Sequence, residues 1–372
     1  MRRQNFVVGL PGCVRNLAPA ARCPLPADRA AAPAQPRRVA PPSTGSDGPD
    51  HRPGPVREVG AMIEHLADHL GVVLRRDLVA AGVDDSAISK LRRRGSLVRI
   101  RQGVDVLGPR WQAADSRQRH RMLAHGVWRR YDDRVALSHV SAALEHGAPA
   151  HDLDLRTAHL TNLFPRGDRI RASVTHHHGG VRLDDITRSH GRWITSPVRT
   201  ALDAAAVSRH DGAICVLDWF LRFGGVGTDE LRAHLARRVT WPDHLDLALK
   251  IGLADGRSES VLETLIRLRI GESSLPMPQL QFEVLHPSGA LAGRSDFAWP
   301  DRGVLGEADG QEKYHRYRRQ GESIEQMVMR EKAREDAMRE ITGYRMLRFV
   351  WKDLYRWPET RARLERALNR TA

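Results

Sequence analysis

Regular spacing of apolar residues begins at Met62. In M-I-E-H-L-A-D-H-L, residues Met62, Ile63, Leu66 and Leu70 fall at helical spacing. R-R-D-L-V-A-A-G reads as a second short helix ended by Gly82, a residue suited to the left-handed position after a helix. Asp84 or Asp85 then caps a third helix, A-I-S-K-L-R-R-R, which Gly95 stops. After Ser96 the period changes to two. Leu97, Arg99 and Arg101 face one way, Val98 and Ile100 the other, and Gly103 marks a hairpin tip or bulge.

Further along, Arg117 to Tyr131 and S-H-V-S-A-A-L-E-H-G read as helices, the second ended by Gly147 and Pro149. R-A-S-V-T-H-H-H-G-G reads as a strand running into a turn. W-I-T-S-P-V-R-T-A-L-D-A-A-A is a short strand, then a helix with Pro197 at its start, where a missing N–H costs nothing. Neighbouring strand residues point to opposite faces, so of His176, His177 and His178 only the first and third share a side. A polar strand end is preferred there over a metal site. Arg199 and Asp203, four apart on a helix, read as a surface ion pair.

From Ser258, serines able to cap precede a helix with Val261, Leu262, Leu265, Ile266 and Ile270 on its buried face and Glu263 and Arg267 opposite. Q-L-Q-F-E-V-L, L-A-G-R-S-D-F-A-W and V-L-G-E-A-D follow as three strands joined by turns at H-P-S-G and P-D-R-G. A long polar helix with Ile324, Met327, Val328, Ala337 and Ile341 as its sparse apolar face stops at Gly343. Y-R-M-L-R-F-V-W is a fourth strand, and Glu359 to Leu368 a final helix.

Composition separates the first sixty residues from the rest. They hold 11 of the 21 prolines, no isoleucine and a single aromatic, Phe6. Too little apolar surface is available there to offset chain entropy, so residues 1–60 are expected to be a disordered Pro/Ala/Arg-rich extension, with translation expected to start at Met62. The whole chain of 372 residues carries 59 Lys+Arg against 45 Asp+Glu, a net charge of +14. That excess points to a phosphate backbone as partner, and DNA is the expected one. No apolar run approaches the roughly 18 residues of a membrane span. Cys13, Cys23 and Cys215 form neither a metal motif nor a disulfide framework, which suits a reducing cytoplasm.

Charge and pattern together assign chemistry to two places. Three short helices and a basic wing make a helix-turn-helix variant whose third helix enters the major groove. Ser86, Ser89, Lys90 and Arg93 are its candidate groove residues, with Arg92 and Arg94 beside them, and Arg99 and Arg101 would meet phosphates. In the hairpin at P-D-R-G, a four-residue loop pairs Trp299 with Val304. Asp296 then lies opposite Glu307, and Asp309 falls on the same face. Opposed like charges are destabilising without a counter-ion. Mg²⁺ or Mn²⁺ would supply it, orient a water and stabilise charge developing on a phosphate. The alternative is an acidic hairpin end relieved by Lys313 or Arg294.

The stretch L-R-R-D-L-V-A-A-G-V-D-D-S-A-I-S-K-L-R-R-R-G-S-L-V-R-I-R-Q-G-V resembles the N-terminal winged helix of AbiEi-type antitoxins. T-S-P-V-R-T-A-L-D, Thr195 to Asp203, resembles the body domain that follows it. These resemblances imply autoregulatory DNA binding and a cognate toxin protein as partner. Residues 258 to 368 resemble the very-short-patch-repair-like branch of the PD-(D/E)XK, restriction-endonuclease-like nucleases, through Asp296, Glu307-Ala308-Asp309-Gly310, Arg334 and Gly343-Tyr344 to Arg348. This resemblance implies Asp296, Glu307 and Asp309 as metal ligands, Glu263 as a helix-borne acid and Arg348 as a phosphate contact. Lys313, where the branch has His, would orient water or the scissile phosphate. Glu-x-Asp stands here in place of the usual Glu-x-Lys.

The expected fold is multidomain α+β. A winged helix-turn-helix spans 61–110, a mixed, antitoxin-like α/β body 111–255, and a restriction-endonuclease-like α/β core 256–372. Two functions remain open: a metal-dependent endonuclease aimed by the winged helix, or a non-catalytic antitoxin and autoregulator with a degenerate nuclease-like domain.

Overall fold

Helix α1 (Pro55–Leu66) begins ahead of the periodicity that starts at Met62. Residues 55–60 therefore join the folded part instead of the expected extension. Pro55 opens the helix, where its fixed φ is already helical. The computed structural model describes residues 55–164, 169–171, 173–178, 180–241, 243–309 and 322–369.

Strand β1 (Val72–Leu74), α2 (Arg75–Ala80), α3 (Asp85–Arg93), β2 (Leu97–Arg101) and β3 (Val104–Leu107) complete the N-terminal module. Its sheet has the order β1-β3-β2 and is antiparallel throughout. Punctuation follows the sequence closely. Gly82 and Gly95 take φ of +86° and +74°, and the Asp84 carboxylate accepts from Ala87 N at 2.7 Å. Ile63, Val73, Leu78, Val83, Ile88 and Leu97 make one core beneath α3. The expected alternation in β2 breaks at a bulge between Arg99 and Arg101, so Arg99 is exposed while Arg101 is half-buried.

After α4 (Gly108–Ala113) and α5 (Ser116–Tyr131), strand β4 (Val135–Leu137) enters a second sheet, followed by α6 (His139–His146). The sheet adds β5 (Ala158–Asn162), β6 (Arg169–Arg171), β7 (Val174–His177), β8 (Ile186–Ser189) and β9 (Arg192–Thr195), in the order β6-β7-β5-β4-β9-β8. Helices α7 (Pro197–Val207), α8 (His210–Phe223), α9 (Thr228–Ala236) and α10 (His244–Leu253) form a layer with its own core around Leu202, Leu217 and Phe220.

Arg199 and Asp203 are not a surface pair. Both are buried: Arg199 Nε donates to Asp203 Oδ1 at 2.7 Å and Nη1 to Asp185 Oδ2 at 3.1 Å, where Arg238 also bonds. Helix α7 packs against α6, α8, α9 and α10, so residues 198–205 have no face left for solvent.

The last unit opens with α11 (Val261–Glu272), followed by β10 (Gln279–Leu285), β11 (Leu291–Trp299) and β12 (Val304–Ala308). Trp299 pairs with Val304 in the expected register, around a turn closed by Gly303 at φ +61°. Helix α12 (Ile324–Thr342) then crosses over to β13 (Arg345–Phe349), which lies parallel to β12, as a parallel pair requires. Short α13 (Trp351–Tyr355) and α14 (Trp357–Asn369) end the chain. In the sheet β10-β11-β12-β13, α11 and α14 cover one face through Ile266, Phe297, Phe349 and Leu364. Met338 of α12 covers the other face, against Val284, Ala298 and Leu305.

Two details depart from the sequence pattern. Glu263 and Arg267 are buried with the rest of α11, Arg267 donating to Asp218 Oδ2 at 2.7 Å. On α12, Ile324 is exposed, and Met327, Glu335 and Met338 are buried. Three sheets with helices between them give the multidomain α+β architecture. No helix among the described residues is long and apolar enough to cross a membrane.

Candidate nucleic-acid interface and carboxylate cluster

Helix α3 turns Ile88 into the core and leaves Ser86, Ser89, Lys90, Arg93 and Arg94 exposed on the opposite face. Arg99 on β2 is exposed as well. Arg92 behaves differently. Its Nε and Nη2 donate to the two carboxylate oxygens of Asp105, both at 2.7 Å, and Asp105 on β3 is fully buried. That bidentate pair fastens the end of α3 to the wing. The Asp105 hydrogen bond raises the Arg92 pKa, with burial opposing it. Arg101 is shifted down by burial. The exposed basic set is thus Lys90, Arg93, Arg94 and Arg99.

In the C-terminal sheet, regular pairing of β11 with β12 stops at Phe297–Gly306. One step on, Asp296 is buried, and its Oδ2 accepts from Ala308 N at 2.8 Å. Glu307 points to α12, where its Oε1 accepts from Arg334 Nη1 and Nη2 at 3.3 Å each. Arg334 also holds Glu331 at 3.0 Å and Arg294 O at 2.8 Å. Burial disfavours the Arg334 charge, but Glu307 and Glu331 outweigh it and its pKa is raised. Asp309 lies 3.7 Å from Arg348 Nη1 on β13, and Arg348 bonds Glu335 at its other end. That bond with Glu335 is the chief cause of a raised Arg348 pKa, with burial opposing.

Glu263 on α11 is 2% exposed. Its oxygens accept from Ser260 Oγ at 2.8 Å, Glu259 N at 2.9 Å and Gln281 Nε2 at 2.9 Å. Gln281 has φ +55°, a left-handed value inside a strand, at the place on β10 that faces Asp296.

The fold therefore places Asp296 inside β11, where pairing with β12 stops, and Glu307 and Asp309 at the end of β12, with Arg334 and Arg348 against the latter two. Lys313 lies outside the described residues. Among the described residues, two groups bring ligand atoms of three side chains within 4.8 Å of one another. They are His139, His159 and His177, and His210, Asp211 and Glu272. The three carboxylates are not among these groups.

Residues 61–104 match a family model described as transcriptional regulator, AbiEi antitoxin. Over 236 residues the chain is 29% identical to two uncharacterized proteins of Mycobacterium tuberculosis, MT2308 of strain CDC 1551 / Oshkosh and Rv2248 of strain ATCC 25618 / H37Rv. That alignment spans 62% of this chain and 82% of each relative. The crystal structure of RV2827C protein from Mycobacterium tuberculosis is 18% identical, with 62% of this chain and 88% of that one covered and a TM-score of 0.36. The family match runs from α1 to the first residue of β3, so it contains all of α3 and β2.

Sequence reasoning missed the roles of Gln281 and Asp105, which depend on partners distant in the chain. It also read the histidine run as a matter of His176 and His178. In the structure His176 is buried against the Tyr131 ring and His178 is exposed, while His177 meets two histidines from other elements. The available signal was weak: those two histidines, His139 and His159, lie in other elements, well before the run in sequence.

Proposed function

We propose that the protein is a DNA-binding regulator of antitoxin type, in which α3 reads the major groove and the β2–β3 wing grips the backbone. One observation carries this reading. The segment that matches the AbiEi antitoxin model is the one whose exposed face concentrates Lys90, Arg93, Arg94 and Arg99. Ser86, Ser89 and Lys90 supply short donors and a cation for base edges, and the arginines supply phosphate contacts. A cognate toxin protein is the second partner this reading implies, and the cytoplasm its place of action. Fluorescence anisotropy with duplex from the protein's own promoter tests it. Binding is expected to weaken steeply with salt, and Arg93→Ala to reduce the slope of log affinity against log salt by about 0.9. Equal slopes for wild type and variant would remove α3 from the interface.

A second reading, a metal-dependent phosphodiesterase in residues 256–372, draws support from Asp296 on β11 and Glu307 and Asp309 at the end of the neighbouring β12. Their oxygens suit Mg²⁺ or Mn²⁺. Their present partners compete with it: Arg334 already balances Glu307, and Asp296 Oδ2 already accepts from Ala308 N. Glu307 and Asp309 stand against arginines and Asp296 accepts from a backbone N–H, and the regulator reading is preferred. It predicts no nicking of supercoiled plasmid with either ion. Nicking that vanished in both Asp296→Ala and Glu307→Ala would reverse the preference.

A further inference from the structure

The six-stranded sheet brings together three histidines that are remote in sequence. His139 opens α6, His159 lies on β5, His177 on β7, and one ring nitrogen of each lies within 4.8 Å of the other two. β5 and β7 pair in parallel, with His159 opposite Thr175 and Thr161 opposite His177, so the two histidines are diagonal neighbours on one face. His159 Nδ1 is 2.8 Å from His177 Nε2. The His139 ring stacks on His177 with centroids 3.6 Å apart and planes 13° apart.

Three further facts distinguish this group from a polar patch of core. His139 holds φ +52°, a costly conformation for a residue with a side chain, at the turn that carries its ring to the sheet. Its Nδ1 lies 3.0 Å from Ser138 Oγ and 3.8 Å from Asp203 Oδ2, a carboxylate that favours the proton on Nδ1 and leaves the lone pair on Nε2. Asp203 is 2% exposed, and among the described residues its Oδ2 has no hydrogen-bond partner although Oδ1 accepts from Arg199. A buried carboxylate oxygen left so is expensive unless a positive group lies close by.

We propose that His139, His159 and His177 bind one transition-metal ion of the zinc class, with Asp203 behind His139 as the carboxylate that orients it. Imidazole nitrogens suit this class, in which three histidines and a solvent molecule complete a tetrahedron. At bond lengths near 2.1 Å, ligand nitrogens stand about 3.4 Å apart, so the His159–His177 contact opens by about 0.6 Å, and the three rings, which lie within 11°, 13° and 23° of parallel, turn so that their in-plane lone pairs converge on the ion. The N–H shared in that contact moves to the outer nitrogen of its own ring, and each ring stays neutral. A carboxylate, a histidine and the metal in series is the usual outer-shell arrangement, and Asp203 is placed for it. His177 is half-buried and marks the side from which the ion enters. The site is independent of the DNA-binding reading and of the carboxylate row.

Full-length protein stripped with chelator, titrated with Zn²⁺ by calorimetry and loaded in parallel with Co²⁺, tests the proposal. One tight equivalent is expected, with the visible ligand-field bands of four-coordinate Co²⁺. His177→Ala should lose that equivalent while keeping the wild-type far-UV circular dichroism, and Asp203→Asn should bind about 10- to 100-fold more weakly. Glu307→Gln and His69→Ala, which alter the carboxylate row and a separate histidine group, should retain it. A wild-type protein without the Co²⁺ bands overturns the proposal whatever the variants do. So does an equivalent that survives His177→Ala or disappears with Glu307→Gln.

Discussion

Arg92 and Arg93 are adjacent on α3 and have different work. Arg92 closes on the fully buried Asp105 with two hydrogen bonds of 2.7 Å, while Arg93 projects into solvent on the proposed DNA face. Removing one partner of a buried pair leaves the other charge without compensation, so Arg92→Ala is expected to cost about 3–5 kcal/mol in denaturant unfolding. Arg93→Ala should stay within about 0.5 kcal/mol of wild type, as exposed substitutions do. Their effects on DNA should separate too. Arg93→Ala weakens binding in proportion to a lost phosphate contact, and Arg92→Ala weakens it only as far as α3 shifts on the wing. Equal stabilities for the two variants would mean that Asp105 finds another partner. Nothing in the run R-R-R told the two residues apart, because the partner of Arg92 lies across a hairpin.

At the scale of elements, α12 decides what the carboxylates can do. Arg334, anchored by Glu331 and by Arg294 O, reaches across to Glu307, and Arg348 on β13 stands beside Asp309. Arg334→Ala removes that counter-charge. Mn²⁺ affinity measured by calorimetry is expected to rise in this variant, and the added Glu307→Gln to cancel the gain. No change in Mn²⁺ binding would show that the ion-binding capacity of the row does not depend on Arg334. The hairpin that sets up this geometry was legible from sequence, because strand alternation and a four-residue turn leave one register that buries Phe297 and Trp299. The order of helices and strands from α11 to β13 was legible for the same reason. The closure by Arg334 was not, since a polar helix with charges at every turn reads as a solvated face. Buried α7 and α11 failed in the same way: four-residue spacing of Arg199 with Asp203 and Glu263 with Arg267 looks superficial until other helices cover it.

Across the whole folded unit, the N-terminal module is joined to the six-stranded sheet by charged groups. Arg129 on α5 donates to Asp68 at 3.3 Å, to Val72 O at 2.8 Å and to Asp77 at 2.9 Å. Beside it, Glu145 of α6 receives His125 at 3.0 Å, Arg121 at 3.2 Å and His190 at 3.2 Å, with the ring of His69 against those of His125 and His190. Burial alone would raise the Glu145 pKa, but His125 and then Arg121 pull it from an ordinary 4.5 to about 2. A carboxylate depressed on folding lends stability that is complete above its unfolded pKa. Between pH 4.5 and about 2 the unfolded chain binds the extra proton, so that stability drains away as pH falls through this window. One proton bound differentially contributes a slope of at most about 1.4 kcal/mol per pH unit. Glu145→Gln should therefore lower stability at pH 7, where Arg121 and His125 lose an anion, and flatten the acid limb below pH 4.5 by up to that slope. Denaturant unfolding of both proteins at several pH values between 7 and 3 measures it. Parallel curves for wild type and Glu145→Gln would place the acid sensitivity of the fold elsewhere. A flattened limb accompanied by weaker DNA binding at pH 7 would show that this junction also holds α3 at its working angle.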